Sequence, residues 1–170
     1  RIGVSEAMVD LLIDRGFPPD RFYAIYNGID FTPPPSQGDR LEYLRSLGAD
    51  VDADSVVVGI AARLNPVKDI ATLIRGFAKA HRAFPALRLL IAGDGEEMAN
   101  LKQLAADLGV AKAVCFAGWI SDTDSFYNAL DINTLTSISE TFPYALTEGA
   151  RAGLPTISSK VGGVSYLIDH

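Results

Sequence analysis

Ser55-Val56-Val57-Val58-Gly59-Ile60-Ala61-Ala62 runs uncharged into Arg63-Leu64-Asn65-Pro66-Val67-Lys68-Asp69, and residues 70–83 follow with apolar side chains at helical spacing. A largely β-branched run of this kind predicts a strand covered on both faces. The next segment predicts a helix with Asp69 as its N-cap. The alternation then continues along the chain. Residues 87–92 read as a second strand and 96–108 as a helix closed by Gly109. Residues 113–117, 132–136 and 154–158 supply further strands, with helices over 124–130 and over 143–152, the latter ended by Gly153. Strands alternating with helices specify an α/β fold, a Rossmann-like doubly wound parallel sheet with right-handed crossovers.

Upstream the pattern changes. Residues 2–5 read as a strand, 6–15 as a helix and 21–26 as a strand, followed by the turn signal Asn27-Gly28-Ile29-Asp30. Residues 1–30 are too few to bury a core alone and read as the tail of another domain. Thr32-Pro33-Pro34-Pro35-Ser36-Gln37-Gly38 reads as a stiff linker, and a helix over 40–47 leads into the main unit. The expected organisation is therefore 1–30, a linker and lead-in helix over 31–54, and a ligand-binding unit over 55–170.

Composition narrows the class. The chain has 170 residues, 48% hydrophobic and 21% charged, which is globular and not disordered. A net charge of −6 argues against nucleic acid as a partner, so a phosphate ligand needs a local positive pocket. No apolar run is long enough to span a bilayer, and the start, Arg1-Ile2-Gly3-Val4-Ser5, does not read as a signal peptide. The single Cys115 has no disulfide partner, and no cluster with metal-ligand spacing is present. Cys115 reads as a small core thiol, and the expected compartment is the reducing cytoplasm.

Ligands of open α/β sheets collect beyond the carboxyl ends of the strands, where four loops carry candidates. After the first strand, Arg63 offers a planar fork and Lys68 a point charge, both suited to a pyrophosphate; alone, Lys68 also reads as a solvated loop lysine. Gly93 and Gly95 give close backbone approach at a helix start, although Met98 breaks the dinucleotide-binding glycine fingerprint and a plain turn is the better reading of a lone G-x-G. Trp119 and Ile120 are candidates to wall a flat base, with burial of the aromatic as the alternative. The fourth loop is Ser139-Glu140-Thr141-Phe142-Pro143-Tyr144-Ala145-Leu146-Thr147-Glu148. Pro143 suits a first helical turn, which leaves the amides of Tyr144 and Ala145 free for an anion. Glu148 in an apolar helix suits ribose hydroxyls, and Glu140 the hydroxyls of a sugar. Singly, each glutamate also reads as the partner of an arginine such as Arg151; together with Arg63 and Lys68 they read as a sugar-nucleotide site.

The pair Glu140 and Glu148, set in Ser-x-Glu-Thr-Phe-Pro-x4-Glu and followed by Ala152-Gly153-Leu154-Pro155-Thr156 and Val161-Gly162-Gly163-Val164, resembles glycosyltransferase family 4 (group 1). Arg63-x4-Lys68-Asp69, Ala92-Gly93-Asp94-Gly95, Phe116-x-Gly118, Asn27-Gly28-Ile29-Asp30 and Val4-Ser5-Glu6 fall in that family's order. The resemblance implies the C-terminal, donor-binding half of a two-domain GT-B enzyme that transfers a sugar from a UDP-, GDP- or ADP-linked donor, with retention and without a metal ion or other cofactor. It implies that Arg63 and Lys68 clasp the diphosphate and steady the leaving group. It also implies that Glu140 contacts the sugar near the reacting carbon, that the Phe142, Pro143, Tyr144 and Ala145 backbone caps oxygens, that Glu148 holds the ribose, and that Trp119 and Ile120 lie by the base.

Further implications concern extent. Residues 1–30 become a remnant of an N-terminal domain that supplies the acceptor site, the chain stops before the family's final elements, and this piece alone is expected to be inactive. Acceptors in the family run from lipid-linked glycans to small metabolites, which admits peripheral membrane association of the full-length protein in polysaccharide synthesis. Gly149, followed by Ala150 and Arg151, departs from the family's usual apolar residues and is expected to loosen its helix slightly. Competing assignments are a GT-B epimerase or phosphorylase-like enzyme and a non-catalytic nucleotide-binding module; a dinucleotide oxidoreductase is excluded by the broken glycine fingerprint.

Overall fold

The computed structural model describes residues 1–30, 32–34 and 38–168. Two short strands, β1 (Ile2–Gly3) and β2 (Tyr23–Ala24), pair in parallel, with helix α1 (Glu6–Asp14) between them in sequence. Ser5 caps α1 by accepting from the Met8 amide at 3.3 Å. The second strand is shorter than its sequence suggests because Pro19–Arg21 form a 3-10 turn. The expected linker falls partly on residues 35–37 and the unit's end on 169–170, outside the described residues.

Helix α2 (Arg40–Ser46) leads into the main sheet, with Asp39 accepting from the Leu41 and Glu42 amides. Its Leu44 is fully buried, so this helix belongs to the core. The sheet holds β3 (Val56–Ala61), β4 (Leu87–Ala92), β5 (Val114–Gly118), β6 (Ile132–Leu135) and β7 (Thr156–Ser158), all parallel, in the spatial order β5-β4-β3-β6-β7. The helices are α3 (Ile70–Ala83), α4 (Met98–Asp107), α5 (Thr123–Asn128) and α6 (Tyr144–Arg151).

Alternation along the strands divides the core in two. Val58 and Ile60 of β3 and Leu89 and Ile91 of β4 pack against Ile74 and Phe77 of α3 and Leu101 of α4. Val57, Leu90 and Ala92 point the other way, onto Leu44 of α2 and Phe126 and Tyr127 of α5. A strand with apolar residues at both parities must be covered on both faces, which is why these runs are continuously apolar. Cys115 lies in the second layer, half-buried, with its Sγ donating to the Leu47 carbonyl at 3.2 Å, and burial pushes its thiol pKa up. Among the described residues no helix is long and apolar enough to cross a membrane.

Several element ends differ from expectation for local reasons. Helix α4 starts at Met98 and not at residue 96: Met98 N closes a tighter turn on Gly95 O at 3.2 Å, and the first α-helical bond runs from Leu101 N to Glu97 O at 2.9 Å. Strand β7 starts at Thr156 because Leu154 N still closes α6 on Gly149 O and Pro155 has no amide to donate. Pro143 stands one position before α6, as its N-cap, and not inside its first turn.

Gly149 has a packing role that helix propensity does not reveal. A Cβ there would sit 2.3 Å from Nδ2 of Asn133, a fully buried side chain on β6. That amide donates to Ala145 O at 3.0 Å and Thr156 Oγ1 at 3.3 Å, tying α6, β6 and β7 together. Alanine at this position gains about 1 kcal/mol of helix propensity but forces an overpacked contact costing about 1–3 kcal/mol. Gly149→Ala is therefore expected to lower unfolding free energy by about 1 kcal/mol in urea titrations, and Asn133→Ala to lose less in that background than alone. A Gly149→Ala protein more stable than wild type would show that α6 does not lean on Asn133.

Candidate functional site

Strands β3 and β6 are adjacent, with Gly59 opposite Asn133. From β3 the chain winds to β4 through α3; from β6 it winds to β7 through α6, on the other face. The order reverses between these two strands, and in open α/β sheets ligands bind beside the carboxyl-end loops at such a point. Arg63 and Lys68 lie on one loop and Glu140 on the other.

The first loop is shaped locally. Asn65 Oδ1 accepts from Lys68 N at 3.2 Å and caps the 3-10 turn Pro66–Lys68. Asp69 then takes the left-handed conformation (φ 44°) while its carboxylate accepts from Thr72 N at 3.3 Å, starting α3. A non-glycine residue at positive φ is strained, and here it turns the chain sharply between the Lys68 turn and the helix. The second loop is stitched to the first: Ile138 N donates to Val67 O at 2.9 Å, and Thr136 Oγ1 to Lys68 O at 3.0 Å.

The side chains meet across this seam. Lys68 Nζ donates to Glu140 Oε1 at 2.5 Å, and the buried Ser137 donates its hydroxyl to the same oxygen at 2.6 Å. The Lys68 and Glu140 side chains are 24% and 9% exposed, so the pair is largely shielded from water and its attraction is only weakly screened. Glu140 Oε2 makes no hydrogen bond among the described residues. Two donors on one oxygen thus leave the other available to a ligand hydroxyl.

Glu148, half-buried on α6, accepts from the Tyr127 hydroxyl through Oε2 at 3.1 Å. Burial raises its carboxyl pKa, and the tyrosine bond partly opposes that. Burial and the neighbouring carboxylate also raise the Tyr127 pKa far above neutrality, so its hydroxyl remains a donor. Arg151 pairs with Asp124, not with either glutamate. The arginine-partner reading is therefore excluded for Arg151, and no hydrogen bond among the described residues joins Glu148 to Arg63 or Lys68.

The remaining candidates also lie beyond the carboxyl ends of the strands. Arg63 is exposed and makes no side-chain hydrogen bond or ion pair among the described residues. Gly93 and Gly95 provide close approach, but to the first loop: a Cβ on Gly93 would lie 1.9 Å from Ala62 O and one on Gly95 2.3 Å from Leu64 O. Trp119 is 83% exposed, which excludes its burial, while Ile120 packs against the second core layer. Phe142 and Pro143 are buried; Phe142 contacts Tyr26 at 6.4 Å and Tyr144 edge-on at 5.4 Å between ring centroids. No side chain caps the start of α6, so the Tyr144 and Ala145 amides keep their unused hydrogens.

Sequence reading missed Tyr127, Ser137 and Ser159. Ser137 precedes Glu140 by three positions, but a capping box pairs side chains with backbone amides at a helix start, and no helix starts here to mark it. Tyr127 and Ser159 reach the site only through the fold. The apolar hollow of about 470 Å³ beside α3, lined by Leu73, Phe77, Phe84, Ile132 and Ile157, carries no charge and does not suit a phosphate.

A family model described as glycosyl transferases, group 1, matches residues 49–170. A lipopolysaccharide core biosynthesis glycosyltransferase from Rhizobium meliloti is 36% identical over 119 residues, 70% of this chain and 34% of its own length. A D-inositol 3-phosphate glycosyltransferase from Stackebrandtia nassauensis is 33% identical over 180 residues, 96% of this chain and 38% of its own. HepE of Anabaena, solved with UDP-glucose, superposes with a TM-score of 0.89 at 30% identity, covering 99% of this chain and 47% of that one. The chain thus spans less than half the length of these relatives. The sheet is that of GT-B glycosyltransferases.

The Glu148 environment gives a test on the ligand-free protein. Its pKa is raised above 4.5 by folding, so the folded state holds this proton more tightly than the unfolded one. The resulting stabilisation is full below the unfolded pKa and is lost as pH rises through the folded value. Glu148→Gln keeps an acceptor for Tyr127 and removes the charge. At neutral pH its unfolding free energy is expected to equal or exceed that of wild type, with a flatter stability profile as pH rises above the ordinary glutamate range. A large loss of stability on this substitution would mean that the carboxylate is held by a partner other than Tyr127.

Proposed function

Because this chain belongs to the group 1 glycosyltransferases, we propose that it forms the donor-holding half of a retaining family 4 enzyme that moves a hexosyl group from a nucleoside diphosphate to an acceptor. The observation that carries this reading is the meeting of Lys68 and Glu140 at 2.5 Å, brought from loops on the two central strands. Cleavage of the bond between the anomeric carbon and the diphosphate sends the electron pair to the diphosphate oxygen. Lys68, largely shielded, and Arg63, at the exposed rim, stand ready for that charge, and preplaced cations are a large catalytic contribution. In this reading they supply the neutralisation a metal ion would otherwise give, which makes the reaction metal-independent.

The other assignments follow the same chemistry. Glu140 Oε2 accepts from sugar hydroxyls, Glu148 accepts from the ribose, and the Tyr144 and Ala145 amides meet phosphate or sugar oxygens. Exposed Trp119 offers a face to the base. The HepE complexes make uridine diphosphate the first nucleotide to test. The acceptor site belongs to an N-terminal domain of the full-length protein, as does any peripheral attachment to a membrane, and the reaction takes place in the cytoplasm. Synthesis of a bacterial-type polysaccharide or glycolipid is in line with the lipopolysaccharide relative. On its own the chain binds donor without transferring its sugar.

Thermal unfolding with UDP, GDP, ADP and their glucose esters tests the core of this reading, since a ligand bound only to the native state raises the melting temperature. One nucleoside diphosphate is expected to stabilise the wild-type chain. Glu148→Ala and Lys68→Ala are each expected to weaken its binding about tenfold, the loss of one charge-assisted contact. Absence of stabilisation by every one of these nucleotides would overturn the assignment.

A further inference from the structure

The Gly162-Gly163 pair, which follows β7 and touches neither Lys68 nor Glu148, stands directly against the backbone of the Glu140 loop. Gly163 N donates to Glu140 O at 3.2 Å. A Cβ on Gly162 would lie 1.8 Å from that same carbonyl oxygen, and Gly162 has φ 47°. A Cβ on Gly163 would lie 2.1 Å from Thr141 O and 3.4 Å from the Cβ of Ser5. Backbone atoms cannot swing aside as a side chain can, so any residue but glycine at these positions must displace the loop.

A second tie runs from the same segment. Ser159 N donates to Leu135 O at 2.8 Å, and Ser159 Oγ to Ser137 O at 2.6 Å. Ser137 in turn donates its hydroxyl to Glu140 Oε1 at 2.6 Å. The carboxylate is thus held at its side chain through Ser137, whose backbone Ser159 holds, and at its own carbonyl by Gly163. Ser5, wholly buried at the start of α1, closes the stack from outside.

We infer that residues 159–163 are a brace that sets the position of Glu140, with Ser159 and Gly163 as positioning residues for recognition of the donor's sugar. This rests on the donor assignment above. Neither residue touches the ligand in this account. Both act on where the Glu140 carboxylate stands relative to a sugar whose nucleotide is held by Arg63, Lys68 and Glu148. Small displacements of a positioned group carry large penalties in such sites. The brace therefore bears on the affinity gained by adding the sugar; an effect passed to the nucleotide through the Lys68–Glu140 pair is common to UDP and UDP-glucose and cancels in the ratio of the two affinities.

Titration calorimetry of this chain with UDP and with UDP-glucose tests the inference through the ratio of the two affinities. In Gly163→Ala and in Ser159→Ala the ratio is expected to shift against UDP-glucose by about fivefold or more, the scale of one net hydrogen bond weakened between the sugar and a displaced Glu140. Ser159→Thr, which keeps the hydroxyl, is expected to restore it. Val110→Ala, a core truncation beside the amino end of β5, serves as a destabilised control and should leave the ratio unchanged. Should Gly163→Ala fail to fold, the two Ser159 variants still decide the matter. An unaltered ratio in Ser159→Ala, with both ligands binding, overturns the brace and leaves the donor reading intact. Failure of the wild type to bind either ligand overturns the donor reading and the brace with it.

Discussion

The parallel pairing of β3 with β6 is the constraint on which the other features depend. These strands are distant in sequence, and their register, Val58 opposite Ile132 and Gly59 opposite Asn133, sets the height at which each loop leaves the sheet. Thr134 Oγ1 adds a bond to Gly59 O at 2.8 Å across the same pair. Once the register is set, Val67 and Ile138 can exchange a backbone bond, and Lys68 and Glu140 arrive at contact distance. A slip of one residue would turn every side chain of β6 to the opposite face, exposing Leu135 and separating the two loops.

Close backbone approach is the second theme. Glycine pairs at 93 and 95, and at 162 and 163, let one loop lie directly on another where a methyl group would overlap a carbonyl oxygen. Together with Gly149 against Asn133, they allow four strand-end loops to share one small rim. The rim holds its charges at some cost. Glu148 is half-buried with a single tyrosine partner, an arrangement that favours its neutral form and works against stability of the empty protein. A chain selected for stability alone would place glutamine or an apolar residue there.

Much of this was legible before any coordinates. The alternation of apolar runs with helical spacing determined the order of the elements, because both layers of a covered sheet demand it. Helix α3 and strand β4 have the bounds expected from sequence, and Asp69 caps as its side chain allows. Lys68, Glu140 and Glu148 stood out in the sequence only as a group, since each alone had an ordinary structural reading; the fold brings Lys68 and Glu140 into contact. What escaped was non-local. Tyr127 meets Glu148 only because α5 and α6 lie on the same face of the sheet, and Ser159 meets Ser137 only across β6 and β7. Gly149 was judged by helix propensity, a local measure, whereas the buried amide of Asn133 decides its identity.

Trp119 stands 83% exposed on the loop after β5, and it is the one tryptophan in the sequence. A lone indole in water is an intrinsic fluorophore whose emission reports on a single known location. Excited at the red edge of its absorption, beyond the tyrosines, it would signal a stacked ring or a docked neighbour by quenching or a blue shift, without any label attached. The same exposure that leaves this side chain without packing makes it an optical gauge of whatever next covers that loop.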